Sequence, residues 1–215
     1  MERSELIGEL HDCRLVAVIR SRTAEEAMVT AKSAVHGGVK FVEITLSVPG
    51  ALDVIRTLAG EIDAHVGAGT VLSKTQAEAA ITAGAQFVVS PSSELDLIPI
   101  CHAANVACYS GAATPTEILN CARAGADLVK IFPADCLGGP NFIRQMAGPF
   151  PEVRFLVSGG VSLTNVKEYV QAGVTGICLG SAFLTNALAE QGERGLVNEV
   201  REFVKFVART KAQNS

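Results

Sequence analysis

A (β/α)8 TIM barrel with one extra helix at its N-terminus is the fold the sequence predicts. Three observations carry it. Short apolar runs alternate with longer amphipathic stretches from the first residue to nearly the last, in the order strand then helix. Eight such units follow one another without a composition break, so all 215 residues are expected to form a single barrel domain, 1–215, near the short end of the range for this fold. The loop after the first strand, Ile19-Arg20-Ser21-Arg22, holds no glycine, so the rival open doubly wound sheet lacks the G-x-G-x-x-G of dinucleotide binding.

Ser4–Leu10 reads as the extra helix, closing the bottom of the barrel. Strands are expected at Arg14–Arg20, Lys40–Leu46, His65–Val71, Phe87–Pro91, Ala107–Gly111, Leu128–Pro133, Arg154–Gly159 and Gly176–Ser181. Between them the amphipathic stretches predict helices at Ala24–His36, Ala51–Ala59, Thr75–Ala83, Glu94–Ala103, Pro115–Ala124, Asn141–Ala147 and Thr164–Gln171. A last helical stretch runs from Ala182 and includes Leu196–Ala208. Thr114 before Pro115, with Glu117 close by, and Ser73 ahead of Gln76 are helix-start signals.

A weak internal repeat sets the strand register. Gly38-Val39-Lys40-Phe41-Val42-Glu43, Gly84-Ala85-Gln86-Phe87-Val88-Val89, Gly125-Ala126-Asp127-Leu128-Val129-Lys130 and Gly173-Val174-Thr175-Gly176-Ile177-Cys178 share one pattern. Each glycine is suited to end a helix in the left-handed conformation. The fifth residue after it is Glu43, Val89, Lys130 or Cys178, on strands two, four, six and eight. Alternate strands of such a barrel supply one interior layer, so Glu43 and Lys130 should face each other across the interior at one height.

Composition excludes several classes. Apolar residues make up 48% and charged residues 19%, too hydrophobic for disorder, and the 20 glycines are too few and aperiodic for a fibre. Apolar runs such as Leu15–Ile19 stop well short of the roughly 20 residues of a membrane span. The opening Met-Glu-Arg-Ser-Glu has no secretory pattern, so a cytoplasmic location is expected. A net charge of −4, with both signs mixed along the chain, argues against nucleic acid or anionic lipid as partner. The six cysteines form no C-x-x-C pair and the four histidines no H-x-x-x-H pattern, so reduced, mostly buried thiols and no metal site are expected.

Lys130 is the most informative residue. A strand covered on both faces normally reads as continuous aliphatics, yet Leu128-Val129-Lys130-Ile131-Phe132-Pro133 holds an amine. An ammonium buried there costs several kcal/mol unless it is paired or loses its proton. Desolvation favours the neutral amine, which is a nucleophile towards carbonyls. Lys130 is therefore either a Schiff-base lysine or half of a structural ion pair with Glu43, and Glu43 is either a proton shuttle or the other half. Late in the chain, Ser158-Gly159-Gly160 ends strand seven and Gly180-Ser181 ends strand eight. Loops at those two strands commonly hold a phosphate on backbone N–H groups, although tight packing alone also explains Gly-Gly and Gly-Ser. Gly67-Ala68-Gly69-Thr70, ending strand three, fits close backbone packing as well as ligand contact. Ser90-Pro91 closes strand four, and Thr114 is read as a cap before a site residue.

Nearly the whole chain resembles the 2-keto-3-deoxy-6-phosphogluconate (KDPG) and 4-hydroxy-2-oxoglutarate (KHG) aldolase family. The resemblance rests on Val18-Ile19-Arg20, Glu43-Ile44-Thr45-Leu46, Gly67 to Val71, Val89-Ser90-Pro91, Ala113 to Glu117, Lys130 to Ala134, Ser158 to Val161 and Gly180-Ser181. It implies a trimeric barrel and a class I aldolase without cofactor or metal, cleaving a phosphorylated keto-deoxy sugar acid to pyruvate and glyceraldehyde 3-phosphate in the Entner–Doudoroff pathway. By that resemblance Lys130 forms the imine and Glu43 moves protons. Thr70, Phe132 and Pro91 belong to the pyruvate pocket, and Ser158, Gly159, Gly160, Gly180 and Ser181 hold phosphate. Three places depart from the family pattern. Ser47 stands where many relatives have a carboxylate-binding arginine, leaving that role to Arg20 at the end of strand one. Val157-Ser158 replaces Pro-Thr, and Ser110-Gly111 replaces Pro-Gly. The residues alone also admit a phosphosugar isomerase, epimerase or synthase on the same barrel, or a non-catalytic barrel that binds phosphorylated metabolites.

Overall fold

The computed structural model describes residues 1–212. Among them, eight strands pair side by side in parallel and in chain order: β1 (Leu15–Ile19), β2 (Phe41–Thr45), β3 (His65–Gly69), β4 (Phe87–Val89), β5 (Ala107–Ala112), β6 (Leu128–Ile131), β7 (Phe155–Val157) and β8 (Gly176–Leu179). β8 pairs with β1, which closes the sheet into a (β/α)8 barrel. The helices are α1 (Arg3–Cys13), α2 (Ala24–His36), α3 (Ala51–Glu61), α4 (Lys74–Thr82), α5 (Leu97–Ala103), α6 (Pro115–Arg123), α7 (Gly139–Ala147), α8 (Val166–Gln171) and α9 (Ser181–Ala212).

The repeat glycines behave as their spacing predicts. Gly38, Gly84, Gly125 and Gly173 sit just past the ends of α2, α4, α6 and α8 with φ of 103°, 101°, 89° and 83°. A side chain there would strain the backbone, so the turn from helix into each even strand depends on glycine. Thr114 caps α6 in a reciprocal box with Glu117, and the Ser73 hydroxyl accepts the Gln76 N–H at α4.

Several boundaries differ from expectation, each for a local reason. Arg14, expected to begin β1, instead ends α1 in the left-handed region at φ 63°. β4 stops at Val89 because Pro91 has no N–H for the ladder. α5 starts at Leu97 rather than Glu94, whose carboxylate accepts the Ser92 hydroxyl in the preceding turn. α7 starts at Gly139 rather than Asn141, since Pro140 fits a first helical turn, where its missing N–H is no loss. α8 starts at Val166 rather than Thr164 because the Asn165 side chain accepts the Ser162 N–H and folds a turn ahead of it. The last helix is interrupted at Gly192, at φ 67°.

Two cores result. The larger lies between the sheet and its helices. The smaller fills the barrel, where Phe41, Phe87 and Tyr109 contact one another in a column, with ring centroids 5.9 and 5.2 Å apart. Leu6, Ile7 and Leu10 of α1 join this inner cluster from below, so the extra helix is the floor of the barrel. Arg3 pairs with Asp127 at 2.7 Å and Glu9 with His65 at 2.8 Å, tying the floor to the strands. No helix among the described residues is long and apolar enough to cross a membrane.

Candidate active site

With its lower end filled by α1 and the aromatic column, the barrel has room for chemistry only towards the C-terminal ends of its strands. There Lys130 of β6 and Glu43 of β2 meet as the repeat predicts. Lys130 Nζ lies 3.8 Å from Glu43 Oε1, and the two side chains are 6% and 1% exposed. The separation is that of an ion pair without a direct hydrogen bond. Glu43 Oε2 is buried with no hydrogen-bond partner among the described residues. Cys178 of β8 completes this layer: burial pushes its thiol up to about 12, with the Lys130 charge opposing and the Glu43 charge adding.

Two glycines make the space. A Cβ on Gly69 would overlap the Glu43 carboxylate, and one on Gly111 would overlap the Pro91 backbone. Gly111 is the β5 partner of Lys130, so Pro91 is held against the strand beside the amine. Gly67, by contrast, serves packing: a Cβ there would overlap the Phe87 ring. The ring of Phe132, whose peptide bond to Pro133 is cis, lies with its centroid 5.5 Å from Lys130 Nζ and is itself exposed at the rim.

Arg20 follows the last residue of β1 and reaches across the rim. Its Nη1 donates to Ser47 Oγ at 2.9 Å and its Nη2 to Thr70 Oγ1 at 3.1 Å. Thr70 holds that position with φ of 57°, a conformation uncommon for a β-branched residue.

At β7 and β8 the backbone offers donors. The Ser158 N–H is spent on the Ile131 carbonyl at 3.1 Å, and its hydroxyl lies beside the Cys178 thiol. Gly159 and Gly160 follow at φ of 98° and 67°, and no backbone carbonyl among the described residues takes their N–H groups. A Cβ on Gly160 would overlap Asp135, so only glycine fits that turn. On the neighbouring strand, Gly180 leads into Ser181, the first residue of α9, whose opening N–H groups have no acceptor within the helix. Two sets of N–H groups without a backbone acceptor thus lie after adjacent strands, an arrangement able to receive an anion.

The sequence profile of the KDPG and KHG aldolases matches residues 6–200. This chain belongs to the KDPG and KHG aldolase family. The KHG/KDPG aldolase of Escherichia coli (strain K12) is 36% identical over 194 residues, 89% of this chain and 91% of that protein. Among solved structures, the KDPG aldolase of Legionella pneumophila, with pyruvate captured as a covalent carbinolamine, superposes with a TM-score of 0.82 at 27% identity, covering 92% of this chain and 97% of that one. The Zymomonas mobilis ZM4 KDPG aldolase, with 3-phosphoglycerate, gives 0.83 at 28% identity, covering 93% and 95%. The chain is thus an aldolase, a lyase, on a TIM barrel.

Of the residues singled out from the sequence, Lys130, Glu43, Phe132 and Pro91 come together around the amine, and Arg20 joins Thr70 at the rim. Gly159, Gly160, Gly180 and Ser181 form the second cluster, with Ser158 as its buried anchor. Sequence reasoning missed the contribution of Ser47, which it read only as a lost arginine. It also passed over Thr45, whose hydroxyl touches both Ile19 and Ser47. The signal available was a run of hydroxyls one strand away from Arg20, legible only once the strand neighbours are known.

Proposed function

We propose that the enzyme cleaves KDPG to pyruvate and glyceraldehyde 3-phosphate, and 4-hydroxy-2-oxoglutarate to pyruvate and glyoxylate, through a Schiff base on Lys130. The observation that carries this reading is the buried 3.8 Å approach of Lys130 Nζ to Glu43 Oε1 inside a closed barrel. The uncharged amine attacks the keto carbon, and Glu43 moves the protons that expel the keto oxygen as water and leave an iminium. Glu43 then takes the proton of the C4 hydroxyl. The bond between the third and fourth carbons breaks, and its electron pair passes into the iminium to give an enamine and an aldehyde. Proton return to the third carbon and hydrolysis release pyruvate and the free lysine.

Binding energy comes from both ends of the substrate. Arg20, with Thr70 beside it, holds the carboxylate next to the reacting carbon through parallel charge-assisted hydrogen bonds. Phe132 and Pro91 wall the pyruvate half. The N–H groups of Gly159 and Gly160, with Gly180 and Ser181 at the start of α9, receive the phosphate, and Ser158 fixes that loop. The functional unit we infer is a cytoplasmic homotrimer acting on small molecules, and sedimentation showing a monomer at working concentrations would overturn that part.

Sodium borohydride added with pyruvate should fix a reduced adduct on Lys130, identified by peptide mass. An adduct elsewhere, or none, would falsify the scheme. A pyruvate-coupled assay against KDPG, its galactonate epimer and 4-hydroxy-2-oxoglutarate ranks the substrates, and full activity in Lys130→Ala would return the protein to the isomerase or synthase class.

A further inference from the structure

Ser47 sits exposed in the turn after β2, yet its hydroxyl has a defined place in a chain of hydrogen bonds. Thr45 Oγ1 donates to the Ile19 carbonyl at 3.1 Å, which spends its only proton. The 2.9 Å contact between Thr45 and Ser47 must then run from Ser47 to Thr45. That in turn leaves Ser47 Oγ as a pure acceptor towards Arg20 Nη1, which it meets at 2.9 Å. The chain begins on the carbonyl of residue 19 and returns to the side chain of residue 20, so every proton direction in it is fixed. On the other side, Thr70 Oγ1 takes Nη2 from a backbone held in the left-handed region.

The result is a guanidinium gripped at both ends by neutral oxygens. None of the ion pairs among the described residues includes Arg20, so its charge is oriented and not neutralised. A carboxylate partner would have held it as firmly but cancelled the charge that an anionic ligand needs.

We propose that Ser47 is a positioning residue, aiming Arg20 at the carboxylate of the 2-keto acid and thereby selecting carboxylate-bearing ketones over uncharged ones. This rests on the Schiff-base reading above. It assigns to Ser47 an effect on substrate capture and none on the bond-breaking step, because Ser47 touches Arg20 and not the reacting atoms.

The test is borohydride trapping at Lys130 titrated with pyruvate and, separately, with hydroxyacetone, a ketone without a carboxylate. In Ser47→Ala the pyruvate concentration for half-maximal trapping should rise about tenfold, the loss expected for one hydrogen bond to a charged group, with the plateau unchanged. Ser47→Thr should restore the wild-type value. Hydroxyacetone should be trapped alike by wild type and Ser47→Ala. Arg20→Ala should raise the pyruvate requirement further, and adding Ser47→Ala to it should change nothing more, since the aimed group is gone. An equal shift for both ketones, or a full second increment in the double variant, would overturn the proposal. Wild-type protein that traps no pyruvate at Lys130 would overturn the imine reading beneath it, a failure distinct from trapping that Ser47→Ala leaves unshifted.

Discussion

Lys130 and Glu43 are each costly to bury alone, and in this barrel neither is alone. The pair brings an amine and a carboxylate within 3.8 Å in one small space and leaves Glu43 Oε2 without a hydrogen-bond partner among the described residues, which in the proposed mechanism serves the substrate hydroxyl. Glu43→Gln keeps the shape and removes the base, so kcat should fall by about 100- to 10,000-fold in a pyruvate-coupled assay. A glycine matters as much as a charge here. Because a Cβ on Gly69 would overlap the Glu43 carboxylate, Gly69→Ala should displace that group and lower kcat by about 100-fold while circular dichroism shows a folded barrel. A Gly69→Ala enzyme with normal kcat would mean that the carboxylate position is not critical. Lys130 was conspicuous in the sequence because a charge interrupts an aliphatic strand. Ser47 was not, because a hydroxyl in a turn looks like any other surface serine until Arg20 is seen to end on it.

At the level of the element, the passage from helix to strand is what repeats. The left-handed glycines after α2, α4, α6 and α8 set where each even strand begins, and so set the height of Glu43, Val89, Lys130 and Cys178. Helix starts are equally local. In α6 the backbone N–H of Ala113 and the Thr114 hydroxyl hold the Glu117 carboxyl below the usual carboxylate range. A depressed folded value means that this contribution is present above the unfolded value and is lost as pH falls through the folded one. Denaturant titrations should therefore show a stability gap between wild type and Glu117→Gln that is constant near neutrality and closes below about pH 4. Thr114→Ala should cost about 1 kcal/mol at neutral pH by the same measurement. These caps and glycines were readable because they act within a few residues. The starts of α5 and α8 were misplaced because side chains there, Glu94 and Asn165, bind in the turns ahead of the helices.

Taken as a whole molecule, the barrel separates stability from chemistry along its axis. Floor and aromatic column lie at one end, the amine and the glycine loops after β7 and β8 at the other. Leu10 is wholly buried in the floor, packing towards Gly176 at the start of β8. Leu10→Ala should cost about 2–5 kcal/mol, read as a lowered Tm, with kcat of the folded enzyme unchanged. A loss of kcat without a loss of Tm would contradict this separation. From the sequence alone came the strand–helix order, the repeat that brings acid and amine to one height, and the glycine turns that follow β7 and β8. Each is written in periodicity or spacing along one segment, where a few bonds dictate the geometry. The clearance that Gly69 gives Glu43, the approach of Pro91 to Gly111, and the grip of Ser47 and Thr70 on Arg20 were decided only by the tertiary structure. They join residues far apart in the chain, and the distances among such residues are set by how the strands tilt and pack against one another, which no local spacing encodes.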